Sequence, residues 1–440
     1  MADELLSPLD FAFWHLDAPG HPLSVGALAV FESGAPVDPE QIASLLAERA
    51  AAVARLRLRV RDVWFPAGGA VWTPDETFDA TRHVRVTREP VAELMARAMD
   101  RTRPPWEVYV IEGAAVAGGA VAGGDGASRP AFSVLVKLHH ALADGLRAVQ
   151  VGAALLDQGA GLPPMPAAAP PARTSLIPTV PDARRLVREA GRALGIGSAL
   201  VRAALDPFGP PALGSSSSGT RRLATAVLDL DELNRIRKSS GGTVNDVVMA
   251  VVAGALRRWM HDRGDDPGGP APRALIPVAR RRRRSEPGPG NRLSGYLIRL
   301  PVAETDPLAR LRAVRRTMDT AKATGPDGGP GAVALLADTL PLFAHRLAAP
   351  VLGRTARLLY DVLITNVPIP DIPLSLSGHR LAELYPLAPL AHGQSLAIAL
   401  STYHGRVHVG LLADAAAIPD LDRLATCTVG ALTELTAAMP

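Results

Sequence analysis

A stretch rich in proline, alanine and glycine divides the sequence near its middle, at residues 159 to 180. Such a composition offers few large apolar side chains to a core, and it is typical of a linker. A second Gly/Ser-rich patch follows at residues 209 to 220. A chain of 440 residues also exceeds what one hydrophobic core usually holds. The sequence therefore predicts two organised halves, residues 1–180 and 221–440, joined by a helix and flexible crossover at 181–220.

Each half mixes strands with helices in an irregular order. In the first half, apolar or alternating runs predict strands at 23–32 and 55–60, and Asp38 is placed to cap a helix over 37–53. In the second half the pattern changes repeatedly between the two periods, and the last helix is predicted over 419–437. The fold class is therefore predicted as α+β, built from layered sandwiches and not from a regular doubly wound sheet.

The composition argues against several classes of protein. The net charge of +4 is small for this length and gives no reason to expect binding to nucleic acid. The single cysteine, Cys427, excludes an intrachain disulfide and a Cys-rich metal site, which fits a cytoplasmic location. No signal peptide is expected, and no run approaches the ~20 apolar residues of a membrane span.

Two adjacent histidines, His139 and His140, end a strand predicted over 131–140. Neighbouring side chains on a strand point to opposite faces, so one imidazole can face a cavity while the other supports it. A neutral imidazole can take a proton from an alcohol, amine or thiol. Asp144 can cap the next helix or pair with an arginine, and Gly145 leaves room in front of the histidine. The motif supplies a base without a nucleophile, which indicates direct attack on an activated acyl group.

The run from His139 to Gly145 matches the HHxxxDG motif of the CoA-dependent acyltransferase superfamily, which includes chloramphenicol acetyltransferase. Further segments, in the right order along nearly the whole chain, narrow the resemblance to bacterial wax ester synthase/diacylglycerol acyltransferases. These segments are the opening at residues 6–32, the PLW block with Pro105 and Trp106, the Asn-Asp block with Asn245 and Asp246, and the SNVPGP block, which reads TNVPIP and contains Asn366 and Ile369.

This resemblance implies two chloramphenicol-acetyltransferase-like α/β sandwich lobes with an active-site tunnel between them. It implies that His140 is the general base, that His139 supports it, and that Asp144 is structural. The Asn245-Asp246 block would be needed for full activity. Acyl-CoA would enter as a substrate from one face and a fatty alcohol or diacylglycerol from the other, giving wax ester or triacylglycerol without a cofactor or metal.

The sequence departs from the family pattern at two positions. Pro105 replaces the leucine of the PLW block, and Ile369 replaces a glycine, where its branched side chain could narrow an acyl pocket. One alternative is therefore a natural-product acyltransferase that uses acyl-CoA or an acyl carrier protein with a specialised acceptor. Another is a non-catalytic lipid or carrier-protein binding module, although such a module has no need for a base at His140.

Simpler interpretations of the same residues also stand. The histidine pair lacks a third ligand at suitable spacing, so a metal site is a weak alternative. Asn245 and Asp246 could simply cap a helix, and Trp106 could belong to the core. Five consecutive arginines at 280–284 predict a solvated loop, or a site for anionic headgroups or phosphates. Any contact of the protein with a membrane or lipid droplet is expected to be peripheral.

Overall fold

The computed structural model describes most of both halves of the chain. The predicted linker at 159–180, the arginine run at 280–284 and Asp144 lie outside the described residues. The described ranges are 3–18, 20–32, 36–63, 69–112, 130–143, 145–157, 209–214, 217–279, 293–324 and 359–439.

The first half contains short strands and helices in mixed order. Its strands are β1 (Glu4–Leu5), β2 (Ser24–Glu32), β3 (Leu58–Asp62), β4 (Ala70–Pro74), β5 (Val84–Thr87), β6 (Trp106–Glu112) and β7 (Pro130–His139). Its helices are α1 (Pro8–Leu16), α2 (Pro39–Ala52), α3 (Val91–Ala96) and α4 (Gly145–Leu155).

The second half has the same mixed character with longer helices. Its strands are β8 (Arg221–Asp229), β9 (Arg273–Ala279), β10 (Leu293–Arg299), β11 (Val362–Val367), β12 (Ser375–Leu376), β13 (His379–Leu387), β14 (Leu396–Tyr403) and β15 (Arg406–Asp414). Its helices are α5 (Leu230–Ser240), α6 (Val244–Arg263), α7 (Pro307–Thr324) and α8 (Leu421–Ala437).

The first six-stranded sheet runs in the order β12, β13, β2, β7, β6, β5, so β7 is an interior strand. Both neighbours of β7 are antiparallel to it. The hairpin β12–β13 comes from the second half of the chain, and β13 pairs with β2 from Arg380↔Glu32 to Leu387↔Gly26. The division between the sheets therefore differs from a simple cut of the sequence, and the domain boundaries at 180 and 220 remain a prediction.

The second six-stranded sheet runs in the order β10, β9, β11, β14, β15, β8. Helix α6 packs against α7 and α8 and is buried along most of its length, with Trp259 fully buried. An apolar cluster around these helices forms the core of the second lobe, and a separate cluster around α1, α2 and β7 forms the core of the first.

A third apolar cluster joins the two lobes. It combines Leu28, Leu94 and Leu135 of the first lobe with Leu223 and Leu412 of the second. Two sheet-rich lobes packed through a shared core confirm the predicted α+β class.

Local predictions were mostly confirmed. Helix α2 begins after Asp38, whose side chain accepts the Glu40 N–H as predicted, and the last helix ends at Ala437. The strand predicted at 55–60 was wrong in its first part. Residues Ala54–Arg57 form a helical turn, and the strand begins at Leu58. The Leu56 carbonyl in this turn accepts the indole N–H of Trp106 instead of a strand partner.

No single helix in the described ranges has both the length and the apolar composition of a membrane span. The pair from Leu230 to Arg263 has both only when its two helices are counted together, and they are bent by 106° relative to each other.

Candidate active site

The two histidines lie at the end of β7, where hydrogen bonds from both sides hold their backbone. His139 N–H donates to the Pro105 carbonyl at 3.0 Å. His140 N–H donates to the Leu23 carbonyl at 2.8 Å. His139 also pairs with Ser24 across the ladder to β2. The strand end is therefore fixed before any substrate arrives, which suits a site that must orient reacting groups.

The imidazole of His139 is used within the protein. Its Nδ1 accepts the Ala141 N–H at 3.0 Å, so the neutral ring carries its proton on Nε2. The residue is 2% exposed. Burial, followed by the neighbouring His140 imidazole and the positive charges of Arg101 and Lys137, lowers the pKa of His139 to about 3. His139 is therefore neutral at physiological pH and supports the strand end.

Helix α1 covers both imidazoles with two consecutive aromatic side chains. The Phe13 ring stacks on the His140 ring, with centroids 4.2 Å apart and an interplanar angle of 22°. Trp14 meets His139 edge-on at 5.0 Å. The helix begins where Ser7 caps it by accepting the Asp10 N–H. Sequence reasoning singled out the segment 6–32 for its resemblance but did not predict these ring contacts.

Asp17, which follows α1 directly, is a site residue that sequence reasoning missed. Its Oδ1 accepts the Leu23 N–H at 2.7 Å, and the same atom lies 3.9 Å from Nε2 of His139. Burial raises the pKa of this carboxyl group, while the Leu23 N–H and Arg101 act against that shift. Asp17 therefore holds Leu23, whose carbonyl holds His140. An acidic residue between an aromatic helix and a strand was the only signal in the sequence.

Pro105 and Trp106 are buried beside the strand end. The Pro105 carbonyl accepts the His139 N–H, a contact that a proline can make because it needs no N–H of its own. The Trp106 indole N–H donates to the Leu56 carbonyl at 2.7 Å, and the ring stacks on His83 at 4.5 Å. Trp106 thus packs in the first core, and the replacement of leucine by Pro105 leaves the contact with His139 intact.

Helix α4 begins at Gly145, the last residue of the motif. A Cβ atom on Gly145 would meet no heavy atom of the described residues within 4 Å. The position beside Gly145 is therefore open among the described residues, and the expectation that this room lies in front of the histidine stays a prediction. The helix lies against β11 of the second lobe.

Within the TNVPIP segment the two predicted residues have different surroundings. Asn366, near the end of β11, is exposed and pairs with Leu400 of β14. Ile369 is partly buried and packs against the core of the first lobe, although it follows a strand of the second. The branched side chain at this position therefore contributes to the contact between the lobes.

Asn245 and Asp246 lie in the first turn of α6, as predicted. Asp246 Oδ2 accepts the Thr243 N–H at 2.8 Å, and Thr243 Oγ1 accepts the Asp246 N–H at 3.2 Å, which forms a capping box. Lys322 lies 3.4 Å from the Asp246 carboxylate. Asp246 is 1% exposed, whereas Asn245 is partly buried. The structure brings this block to the start of a core helix of the second lobe.

The donor set for a metal was examined across the described part of the chain. Within it, no group of three or more His, Cys, Asp and Glu side chains is arranged to hold a metal ion.

Two family models match the chain. The wax ester synthase/diacylglycerol acyltransferase catalytic domain matches residues 6–248, and the C-terminal domain of the same proteins matches residues 289–436. The first match alone spans more than half of the chain and includes the histidine motif, α1 and the start of α6.

Curated relatives extend over nearly the same length. A Mycobacterium bovis protein named as a diacylglycerol O-acyltransferase is 31% identical over 448 aligned residues, covering 94% of this chain and 91% of that protein. A Mycobacterium tuberculosis protein named as a diacylglycerol O-acyltransferase is 29% identical and covers 99% of both chains.

Solved structures agree with the fold. A wax ester synthase/diacylglycerol acyltransferase from Marinobacter aquaeolei superposes with a TM-score of 0.67 at 25% identity, covering 98% of each chain. A trichothecene 15-O-acetyltransferase from Fusarium sporotrichioides shares the fold with a TM-score of 0.62 at 13% identity, covering 99% of this chain and 95% of that one. The resemblance predicted from the motifs is confirmed: the chain belongs to the wax ester synthase/diacylglycerol acyltransferase family, and its reaction class is acyl transfer.

Proposed function

We propose that the protein transfers a fatty acyl group from acyl-CoA to the hydroxyl group of a fatty alcohol or diacylglycerol, with His140 as general base. The observation that carries this proposal is the different surroundings of His139 and His140 at the end of β7. His139 has its Nδ1 engaged by the Ala141 N–H and is held neutral by burial. His140 is only partly buried, and its ring stacks on Phe13 at the strand end, so it suits proton transfer.

The reaction proceeds by direct attack. The acceptor hydroxyl donates a hydrogen bond to the His140 imidazole, which removes the proton as the oxygen attacks the thioester carbon. The resulting tetrahedral intermediate collapses with cleavage of the C–S bond. His140 then returns the proton to the sulfur, which leaves as free CoA thiol. No covalent intermediate on the enzyme is required.

The remaining site residues support this chemistry in different ways. We assign His139 a positioning role, Asp144 and Gly145 the shape of the turn, and Pro105 and Trp106 the anchoring of the strand end. Asp246 orders the start of α6 through the capping box with Thr243, and Asn245 lies in the same turn. Ile369, three residues after Asn366, would narrow the acyl-binding space of the tunnel that the family resemblance implies.

Acyl-CoA is a substrate in this proposal, and the reaction uses no cofactor. A fatty alcohol or diacylglycerol is poorly soluble, so peripheral contact with a membrane or lipid droplet would bring the acceptor to the enzyme. The Ile369 replacement favours a test of specialised acceptors and carrier-protein donors beside the lipid panel, because a narrower acyl-binding space would change chain-length preference.

The experiment measures thiol release from acyl-CoAs of increasing chain length, with a long-chain alcohol or a diacylglycerol as acceptor. His140→Ala is assayed beside the wild type. Release that needs both an acceptor and His140 supports the proposal. A folded wild-type protein that releases no thiol with any lipid acceptor would contradict the lipid substrate and direct the search to carrier-protein donors. A folded His140→Ala protein with a wild-type rate would contradict the proposed base.

A further inference from the structure

A buried arginine of the second lobe reaches into the first lobe close to the histidine motif. Arg221 is the first residue of β8, and its side chain is 2% exposed. Its Nη2 donates to the Gly20 carbonyl at 2.9 Å and lies 3.2 Å from Nδ1 of His21. Both contacted residues belong to the loop between α1 and β2, so the guanidinium links the two lobes.

Asp414 of the second lobe balances the charge of Arg221, but it does not accept the hydrogen bond of Nη2. Asp414 pairs with Arg221 across the β15–β8 ladder, and its Oδ2 lies 3.8 Å from Nη1. The Asp414 carboxylate accepts shorter hydrogen bonds within its own lobe, among them the Ser218 N–H at 2.7 Å and the Ala416 N–H at 3.1 Å. The short hydrogen bond of Nη2 therefore goes to the first lobe, which a purely internal ion pair would not require.

The backbones of the two lobes come unusually close at the same point. Gly20 and Gly219 both have a positive φ, +78° and +76°, and a Cβ on Gly20 would lie 3.3 Å from the Gly219 Cα. L-amino acids with side chains rarely adopt such a φ. The position of the Gly20 loop is therefore set by contact with the second lobe as well as by Arg221.

Three residues, His21, Pro22 and Leu23, connect the contact at Gly20 to the proposed base. The chain runs from Gly20 through His21 to Leu23, whose N–H is held by Asp17 and whose carbonyl accepts the His140 N–H. A shift of the loop at Gly20 is therefore passed to the backbone of His140. Displacements of about 1 Å at a reacting group can cost 10²-fold in rate.

We infer that Arg221 is a positioning residue for the reaction: from the second lobe, it fixes the loop at Gly20 and His21 and so sets the location of the His140 imidazole. The inference rests on the proposed role of His140. It predicts that chemistry depends on Arg221 even when both lobes are folded and bind acyl-CoA.

The test is Arg221→Lys, which keeps a positive charge beside Asp414 but lacks the fork that reaches both Gly20 and His21. The expected result is a 10- to 100-fold lower kcat, by the order of magnitude above, with little change in KM for acyl-CoA. Arg222→Lys is the matched control, because the neighbouring Arg222 is exposed and pairs with Asp422 at 3.0 Å. All rates are measured at a temperature at which melting curves show each variant to be folded.

A double variant separates positioning from general loss of structure. If Arg221 acts through His140, Arg221→Lys has little further effect on the residual rate of His140→Ala, because the base that it positions is already gone. Losses that multiply in the double variant would overturn the inference, as would a folded Arg221→Lys protein with wild-type kcat. If His140→Ala alone keeps the wild-type rate, it is the proposed function that fails.

Gly20→Ala decides the matter if Arg221→Lys does not fold. It leaves every charge in place but forces a side chain against Gly219, and the same selective loss of kcat is expected. Gly264→Ala is its control, since Gly264 has a similar φ of +80° but no described heavy atom within 4 Å of the added Cβ. Equal kcat in these two variants would overturn the inference.

Discussion

The protein buries one histidine in each of its two large sheets, and their surroundings differ. His139 ends β7, with Nδ1 bonded to the Ala141 N–H and Nε2 near Asp17. His408 lies inside β15, fully buried, edge-on to Tyr385 at 5.3 Å, and neither ring nitrogen makes a well-formed hydrogen bond to the described residues. Burial lowers the pKa of both, to about 3 and about 4.

A buried imidazole with a lowered pKa is therefore not by itself a sign of catalysis. What distinguishes the first sheet is location. Its histidine ends a strand and lies next to Asp17 and Pro105, and the following histidine, His140, donates its N–H to the Leu23 carbonyl. His408 instead faces Ser401 and Val227 across two ladders, where a substrate has no access without opening the sheet. Under the proposed function, acyl transfer takes place at the end of β7 in the first sheet, whereas His408 belongs to the interior of the second.

The largest effect is expected from removing the imidazole that follows His139. His140→Ala should lower the transfer rate about 10²- to 10⁴-fold through loss of general-base catalysis. His408→Phe, the matched change in the second sheet, should leave kcat nearly unchanged because its ring contacts no reacting group. Steady-state thiol release from both variants checks this, and a comparable loss in His408→Phe would break the comparison.

The next largest effect is expected from replacing Asp17, because this residue supports the strand end that carries His139 and His140. His408 has no such partner among the described residues. Asp17→Ala should reduce kcat about 10- to 100-fold by releasing Leu23 and so displacing the strand end. The control is Asp319→Ala, at an exposed position on α7. Kinetics on protein shown to be folded by circular dichroism decide the point, and an unchanged kcat would remove Asp17 from the site.

His408, in the second sheet, should make the free energy of unfolding depend on pH. Its folded pKa lies below the unfolded value of 6.5, so between pH 6.5 and about 4 the unfolded chain takes up a proton that the folded chain does not. This proton uptake destabilises the wild type as pH falls, by about 2 kcal/mol at pH 5 for a shift from 6.5 to about 4.

His408→Phe removes this contribution, while His139 and His21 titrate alike in both proteins. The free energy of unfolding of the variant minus that of the wild type should therefore be larger at pH 5 than at pH 8. Urea unfolding at the two pH values measures the difference. The same relative stability at both would show that His408 is not held neutral by burial.

The smallest effect concerns the capping box of α6 in the second lobe. Asp246→Ala should lower the free energy of unfolding by about 1 kcal/mol, since it removes the carboxylate that accepts the Thr243 N–H. Asn245→Ala, one residue earlier, should cost less because its side chain makes no part of the box. Thermal melting ranks the two, and a larger loss from Asn245→Ala would assign that side chain a role other than capping.

Local features of the fold could be predicted from the sequence because they depend on neighbouring residues. Asp38 before α2, and the capped start of α6 with Asp246, follow from side chains that bond to backbone groups two or three residues away. The apolar run ending in His139 and His140 likewise identified β7 and the candidate base.

Contacts between distant segments could not be predicted in this way. The hairpin β12–β13 joins the first sheet although it follows β11 of the second, and no local pattern states which sheet a strand will join. Asp17 and Arg221 act through the loop at Gly20 and Leu23, which only the folded chain brings together. The strand predicted from residue 55 failed for the same reason, because a hydrogen bond from Trp106 holds that segment in a turn.

Direct transfer with His140 as base is tested most directly by measuring the mass of the intact protein together with the release of CoA. Acyl-CoA is mixed with wild type or His140→Ala without acceptor, and alcohol is then added. Direct transfer predicts an unmodified protein and no stoichiometric CoA release until alcohol is added, followed by rapid release by the wild type only. A burst of CoA without acceptor, with a protein mass increased by one acyl group, would contradict it.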